Sequence, residues 1–188
     1  MQRVLPAILL LVLLVPLAGC TGLSPDSAPI ADGSEPAQNV TVTVLEVVDG
    51  DTIEVRYPNG TTDTVRFLGI DTPESHVEND PSEFEGVPDT DAGRACLREE
   101  GAAASTHVEE TIADSQVRLV FDPLSDRRGG YGRLLAYVYV DDRNLNYELV
   151  ELGYARVYDT QFTQADRFYA AEDSARTDKI GVWRCQNP

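Results

Sequence analysis

Residues 40–48 alternate apolar and polar side chains through most of VTVTVLEVV, and a period of two predicts a β-strand. The same alternation returns over 53–57 and 64–68. Pro58-Asn59-Gly60 stands between those two runs, and Asn-Gly is a strong hairpin signal. Two further apolar-rich runs, 116–121 and 134–140, predict a fourth and a fifth strand. Between and after them the spacing turns helical. Residues 92–112 carry Ala95, Leu97, Ala102, Ala103 and Val108 among acids. Residues 145–152 end at Gly153, a helix-terminating glycine, and 164–179 form the last helical segment before Gly181-Val182-Trp183. Five strands with a helix between the third and the fourth predict a mainly β fold with helices outside it, a small five-stranded barrel of OB-like architecture.

The N-terminal pattern is different. Met1-Gln2-Arg3 is a basic start, and 5–17 is almost wholly apolar but short for a membrane span, which predicts a secretory signal over residues 1–19. Small residues before Cys20 resemble a prokaryotic lipobox, which implies lipidation of Cys20 and an anchor on the outer face of the membrane; the alternative is an ordinary signal peptide with an incidental cysteine. Residues 20–39 hold almost no large apolar side chain and predict a flexible tether. Residues 40–188 then have the length of one domain. Asn39 and Asn59 each open an N-glycosylation sequon.

The candidate chemistry sits on the first hairpin. Asp49-Gly50-Asp51-Thr52 precedes one strand, Arg66 lies on the next, and Asp71-Thr72-Pro73-Glu74 follows it. Carboxylates gathered this way repel one another unless a cation lies between them. Oxygen donors suit calcium or magnesium better than zinc. A third motif, Tyr131-Gly132-Arg133, comes later. Taken singly, each of these is an ordinary turn or strand-edge sequence.

In this order and spacing, over about residues 40–183, the three motifs resemble the staphylococcal nuclease (thermonuclease) family. The resemblance implies a five-stranded barrel with three helices. It implies calcium (Ca2+) held by Asp51, Asp71 and the Thr72 carbonyl, with Asp49 in an outer shell. It implies Glu74 as general base, and Arg66 and Arg133 as the pair that grips phosphate. Tyr131 and Tyr158 would hold a terminal phosphate or stack a base. The substrates implied are DNA and RNA, single strands preferred, cut to leave 3′-phosphates.

Two departures stand out. Gly130 takes a place where family members often carry lysine, which leaves Arg127 or Arg128 to compensate. The segment 75–91 is often basic in the family; here it holds Glu78, Asp80, Glu83, Glu85, Asp89 and Asp91, which predicts a solvated charged loop, with extra cation binding as the alternative. The only histidines, His76 and His107, lack metal-ligand spacing.

Charge sharpens the picture. Asp plus Glu number 32 against 15 Lys plus Arg, a net charge of −17, and Lys179 is the only lysine. Nucleic-acid proteins usually show a basic footprint. Either this is an acidic surface domain with no polyanion partner, or it is halophilic. At molar salt the Debye length falls to roughly 3 Å, so only charges touching the substrate count. The nuclease motifs favour high salt. Cys96 and Cys185 remain once Cys20 is assigned to the leader, and in an external compartment such a pair reads as a disulfide, with two buried free thiols as the alternative. The whole reading is a monomeric, lipid-anchored, extracellular, calcium-dependent nuclease. Its rivals are a catalytically silent barrel that binds nucleic acid and an acidic calcium-binding surface lipoprotein.

Overall fold

A computed structural model describes residues 38–188. Eight strands are present among them: β1 (Asn39–Asp49), β2 (Thr52–Arg56), β3 (Thr62–Phe67), β4 (Ile70–Asp71), β5 (Gln116–Val120), β6 (Leu134–Val140), β7 (Arg143–Asn144) and β8 (Arg156–Val157). Three α-helices accompany them: α1 (Asp91–Ile112), α2 (Leu145–Glu151) and α3 (Ala165–Asp178).

β1, β2 and β3 form an antiparallel meander, β1 also pairs with β5, and β5 pairs with β6. A parallel pairing of β3 with β6, Val65 opposite Leu134, closes the ring into a five-stranded barrel. Alternation fills it: Val42, Val44, Ile53, Val55, Val65, Phe67, Val117, Leu119, Ala136 and Val138 are buried. Two register shifts, between Val44 and Glu46 and between Val47 and Asp49, let β1 bend while it serves both neighbours. The β2–β3 turn uses Gly60 at φ +88°, and the Asn59 side chain accepts from the Thr61 N–H at 3.0 Å.

The helices lie against this barrel. Val108 and Ile112 of α1, Leu145, Leu149 and Val150 of α2, and Phe168 and Ala171 of α3 join its core. Asn144 caps α2 by accepting from the Tyr147 N–H at 3.2 Å, and Gly153 at φ +75° follows its end. Asn146, fully buried, donates to the carbonyls of Leu68 (2.9 Å) and Ala136 (3.2 Å) and accepts from the Val138 N–H (2.9 Å). It thereby satisfies backbone groups that would otherwise be buried without partners.

Two expectations need correction. Asn39 is not tether: it pairs with Val120, and the Gln38 carbonyl accepts from the Phe121 N–H at 2.9 Å. Backbone pairing to β5 orders these residues whatever their side-chain polarity. The leader 1–19, Cys20 and the tether through residue 37 lie outside the described residues.

The acidic segment 75–91 is also not simply solvated. Phe84 and Val87 are buried in a second core with Leu97, Ala175, Val182, Trp183 and Cys185. Cys96 and Cys185 are joined there by a disulfide, Cα–Cα 5.6 Å. Several of the acids have arginine partners: Asp89 and Glu78 pair with Arg94, and Glu85 pairs with Arg176 at 2.8 Å. This C-terminal annex sits beside the barrel and shares α1 and α3 with it.

Candidate active site

The site gathers where β1 turns into β2 and where β3 runs into β4. Asp49 Oδ1 accepts from the Asp51 N–H at 3.0 Å, so the first acid folds its own turn. Gly50 lies in that turn because a side chain would not fit: a Cβ there would stand 2.8 Å from Ala104 Cβ and from Thr72 Oγ1. Asp51 is 1% exposed. Its Oδ2 accepts from the Thr72 N–H at 2.9 Å and the Thr72 hydroxyl at 3.2 Å, and its Oδ1 accepts from the Thr52 hydroxyl at 3.0 Å and from Arg66.

Arg66 lies opposite Thr52 in the β2–β3 register. Its guanidinium spans the two acids, one arm on Asp51 and the other on Asp71 Oδ1 at 2.5 Å. Arg133, immediately before β6, donates to the Thr52 hydroxyl at 3.2 Å. Thr52 thus touches Arg133 through its hydroxyl and lies opposite Arg66 in the sheet. Both Arg66 arms are occupied by carboxylates. The remaining N–H groups of Arg133 have no partner among the described residues.

Glu74 is held from behind. Asn79, 5% exposed, clamps its backbone: Asn79 Oδ1 accepts from the Glu74 N–H at 2.7 Å and Nδ2 donates to the Glu74 carbonyl at 2.8 Å. Beneath, a Cβ on Gly101 of α1 would come within 2.3 Å of the Pro73 carbonyl, so the helix touches the loop backbone directly. The carboxylate itself has no hydrogen bond or ion pair among the described residues. Partial burial, reinforced by Asp49 and Asp71 and opposed by Arg66 and Arg133, raises it above the ordinary glutamate range.

Tyr131 stands 89% exposed beside Arg133, 5.8 Å from ring centroid to guanidinium carbon. Tyr158, half exposed, follows β8 and donates its N–H to the Gly69 carbonyl at 3.0 Å. Neither arginine proposed to replace the missing lysine is idle. Arg128 forks Asp63 at 3.0 and 2.6 Å and donates to the Gly132 carbonyl at 2.6 Å. Arg127 packs over the Phe121 ring. His107 stacks on Tyr154 and lies 3.2 Å from Glu148.

The donor chemistry suits a hard cation. Burial pushes the Asp51 carboxyl up to about 7, with Asp49 and Asp71 adding to the rise and Arg66 and the Thr72 N–H opposing it. A buried carboxylate raised by other carboxylates is one that a cation would stabilise. Asp51, Asp71 and the Thr72 carbonyl are all oxygen donors of the kind calcium takes. Among the described residues no three His, Cys, Asp or Glu side chains form a ready-made metal cage. Two carboxylates and a carbonyl leave the rest of a cation's shell to water or substrate oxygen.

Sequence reasoning missed three residues here. Asn79 sits in an acidic stretch with no motif around it. Gly101 reads as a weak point in a helix. Arg156 on β8 binds Asp71 Oδ2 through Nε at 3.0 Å and a terminal nitrogen at 2.8 Å. Its only signal was an arginine between Ala155 and Val157.

The pattern of the family described as "Staphylococcal nuclease homologue" matches residues 64–185. The chain is 38% identical over 151 residues to Uncharacterized protein MJ1439 of Methanocaldococcus jannaschii, covering 77% of this chain and 72% of that protein. It is 39% identical over 147 residues to Endonuclease YncB of Bacillus subtilis, 77% of this chain but only 62% of that protein's length. It is 30% identical over 153 residues to the Thermonuclease of Staphylococcus hyicus, 80% of each. With the barrel, the acid turn and the paired arginines all present, the chain belongs to the staphylococcal nuclease family.

Proposed function

We propose that this protein is a calcium-dependent nuclease that hydrolyses phosphodiester bonds of DNA and RNA. The observation that carries the reading is Glu74. Its backbone is fixed by Asn79 while its carboxylate is left without a partner among the described residues. What sets it apart from the other unpaired glutamates is its neighbourhood, where Asp49, Asp71, Arg66 and Arg133 all act on its charge. A general base needs a held but unpaired carboxylate, and a raised pKa brings it closer to the proton affinity of its task.

Glu74 accepts the proton that water loses as it attacks phosphorus. Arg133, with N–H groups to spare, forks the phosphate and opposes the charge that builds on its oxygens. Arg66, whose two arms lie on Asp51 and Asp71, would become the second fork once a cation takes over those carboxylates. Asp51, Asp71 and the Thr72 carbonyl would hold calcium, with Asp49 as an outer partner, and the bound cation would polarise the phosphate and orient the attacking water. Tyr131, projecting into solvent, offers a face on which a base can stack. Preference for single strands and 3′-phosphate products rests on the family resemblance.

The setting proposed is the outer face of the cell membrane, with Cys20 as lipid anchor and the protein acting as a monomer. The small residues before Cys20 support the anchor, and the Cys96–Cys185 disulfide supports an oxidising compartment. The net charge of −17 supports a high-salt medium, where repulsion from nucleic acid is screened. Retention of Glu74 and both arginines speaks against a silent binding barrel.

The test is single-turnover cleavage of labelled single-stranded DNA, with and without calcium, from dilute to molar salt. Glu74→Gln should lose at least ~10²-fold in rate while keeping its fold and its DNA binding. Near-normal turnover in the folded variant would remove Glu74 from the chemistry and favour the binding module. Calcium-free activity, or best activity in dilute buffer, would sink the cation or the high-salt part separately.

A further inference from the structure

Asp71 is shared between two arginines, one for each of its oxygens. Arg66 takes Oδ1, and the same guanidinium takes Asp51 Oδ1 with its other arm. Those two oxygens therefore already flank one positive group. Arg156 takes Oδ2 alone, through Nε and a terminal nitrogen together. The terminal torsion of an aspartate is soft, so one anchored oxygen decides where the other faces.

We infer that Arg156 is a positioning residue for the cation site: by binding Asp71 Oδ2 twice, it keeps Oδ1 turned toward Asp51. The inference rests on the calcium reading above. Arg156 is itself well braced. The β4–β8 pairing sets Asp71 opposite Arg156 in register. The next N–H, that of Val157, donates to the buried Glu172 at 2.8 Å. The Arg156 guanidinium lies 5.5 Å from the Phe84 ring centroid and 5.8 Å from that of Tyr158. Phe84 belongs to the annex core, so Arg156 is the contact through which the annex reaches an expected calcium ligand.

Charge and geometry make opposite demands here, which makes the inference testable. A cation beside a cation is unfavourable by charge alone, so removing Arg156 would tighten calcium binding if electrostatics were its only influence. If its role is to orient Asp71, removal weakens binding in spite of the relief. Outer-shell partners of metal ligands are typically worth 10–100-fold in affinity.

The experiment is calcium titration by calorimetry on the purified protein, on Arg156→Met and on Arg156→Lys, each with a thermal melt. Lysine keeps the charge but has one nitrogen where two are needed. Both variants should bind calcium about tenfold or more weakly. Saturating calcium should restore most of the turnover on single-stranded DNA. Wild-type affinity in the folded Arg156→Lys variant, or tighter binding in Arg156→Met, would overturn the inference. If Arg156→Met does not fold, the lysine variant decides alone. If the unaltered protein binds no calcium, the cation reading falls and the inference with it; unchanged affinity in the variants removes only the inference.

Discussion

The barrel and the annex are built on different principles. The barrel is a closed hydrogen-bonded ring whose apolar side chains come from alternate strand positions, so each neighbour enforces the register of the next. The annex has no strand ladder. Single apolar residues from a loop, two helices and the chain end meet around Trp183, fastened by a disulfide and by the ion pair of Glu100 with Arg184. The site draws on both. Asp51, Thr52, Arg66 and Arg133 are fixed by the barrel. The loop after Glu74 runs into the annex, and Arg156 stacks on it. The barrel thus supplies position through backbone pairing, and the annex supplies it through side-chain contact.

Four changes would break or sharpen this contrast. The largest effect should come from Leu119→Ala, which hollows the barrel at a fully buried position on β5. It should cost about 2–5 kcal/mol, and in denaturant titration both regions should unfold together. Survival of an ordered barrel would show that closure does not depend on its core.

Next comes removal of the disulfide, Cys96→Ser with Cys185→Ser. The linked positions are 89 residues apart. The expected loss is about 2–4 kcal/mol. Hydrogen exchange should rise around Phe84, Leu97 and Trp183 while the amides of β1, β2 and β3 stay protected. Equal loss of protection in both regions would erase the distinction.

Asp122 probes the barrel side by pH. Burial would raise its carboxyl, but hydrogen bonds from Thr163, Leu124 and Tyr137 outweigh that and hold it below the ordinary aspartate range. The unfolded chain then binds the proton first as pH falls. The stabilisation is complete above the ordinary aspartate pKa and fades as pH drops through the lowered folded value. Asp122→Asn should cost about 1–3 kcal/mol at neutral pH, and the deficit should shrink in melts run at strongly acid pH. A deficit independent of pH would mean that shape, not charge, is what the three partners use.

The last change, Gly101→Ala, should cost stability as well as activity, since its Cβ would stand 2.3 Å from a backbone carbonyl that must shift to make room. Alanine favours the helix by up to about 1 kcal/mol, which offsets part of the clash with the Pro73 carbonyl. Turnover should suffer more than the melting temperature, because a misplacement of order 1 Å in the Glu74 loop can cost ~10²-fold. Full activity in this variant would show that the loop is not set by its contact with α1.

The barrel was legible because period two is a local property of the chain. Residues 40–48 and 134–140 announced strands that the structure extends to Asn39–Asp49 and leaves at Leu134–Val140. The α1 signal at 92–112 missed only Asp91. The annex was illegible for the same reason. Phe84 and Val87 are isolated apolar residues in a run of acids, and no period links them to Trp183 almost a hundred positions later. β4 and β8 are two residues each, too short to carry a pattern, yet their pairing brings Arg156 to Asp71. The acid turn, the arginines and Glu74 were found through motif resemblance. That Arg66 has both arms on carboxylates depends on three-dimensional distances that no motif encodes.

The placement of Trp183 has a spectroscopic consequence. It is the only tryptophan in the chain. Its ring is buried in the annex with the Arg176 guanidinium 4.4 Å above it, and no tryptophan lies in the barrel. Intrinsic tryptophan emission is therefore a local gauge that reads the disulfide-pinned corner. A fluorescence-monitored transition records when that corner opens, and circular dichroism is needed to report when the strands let go.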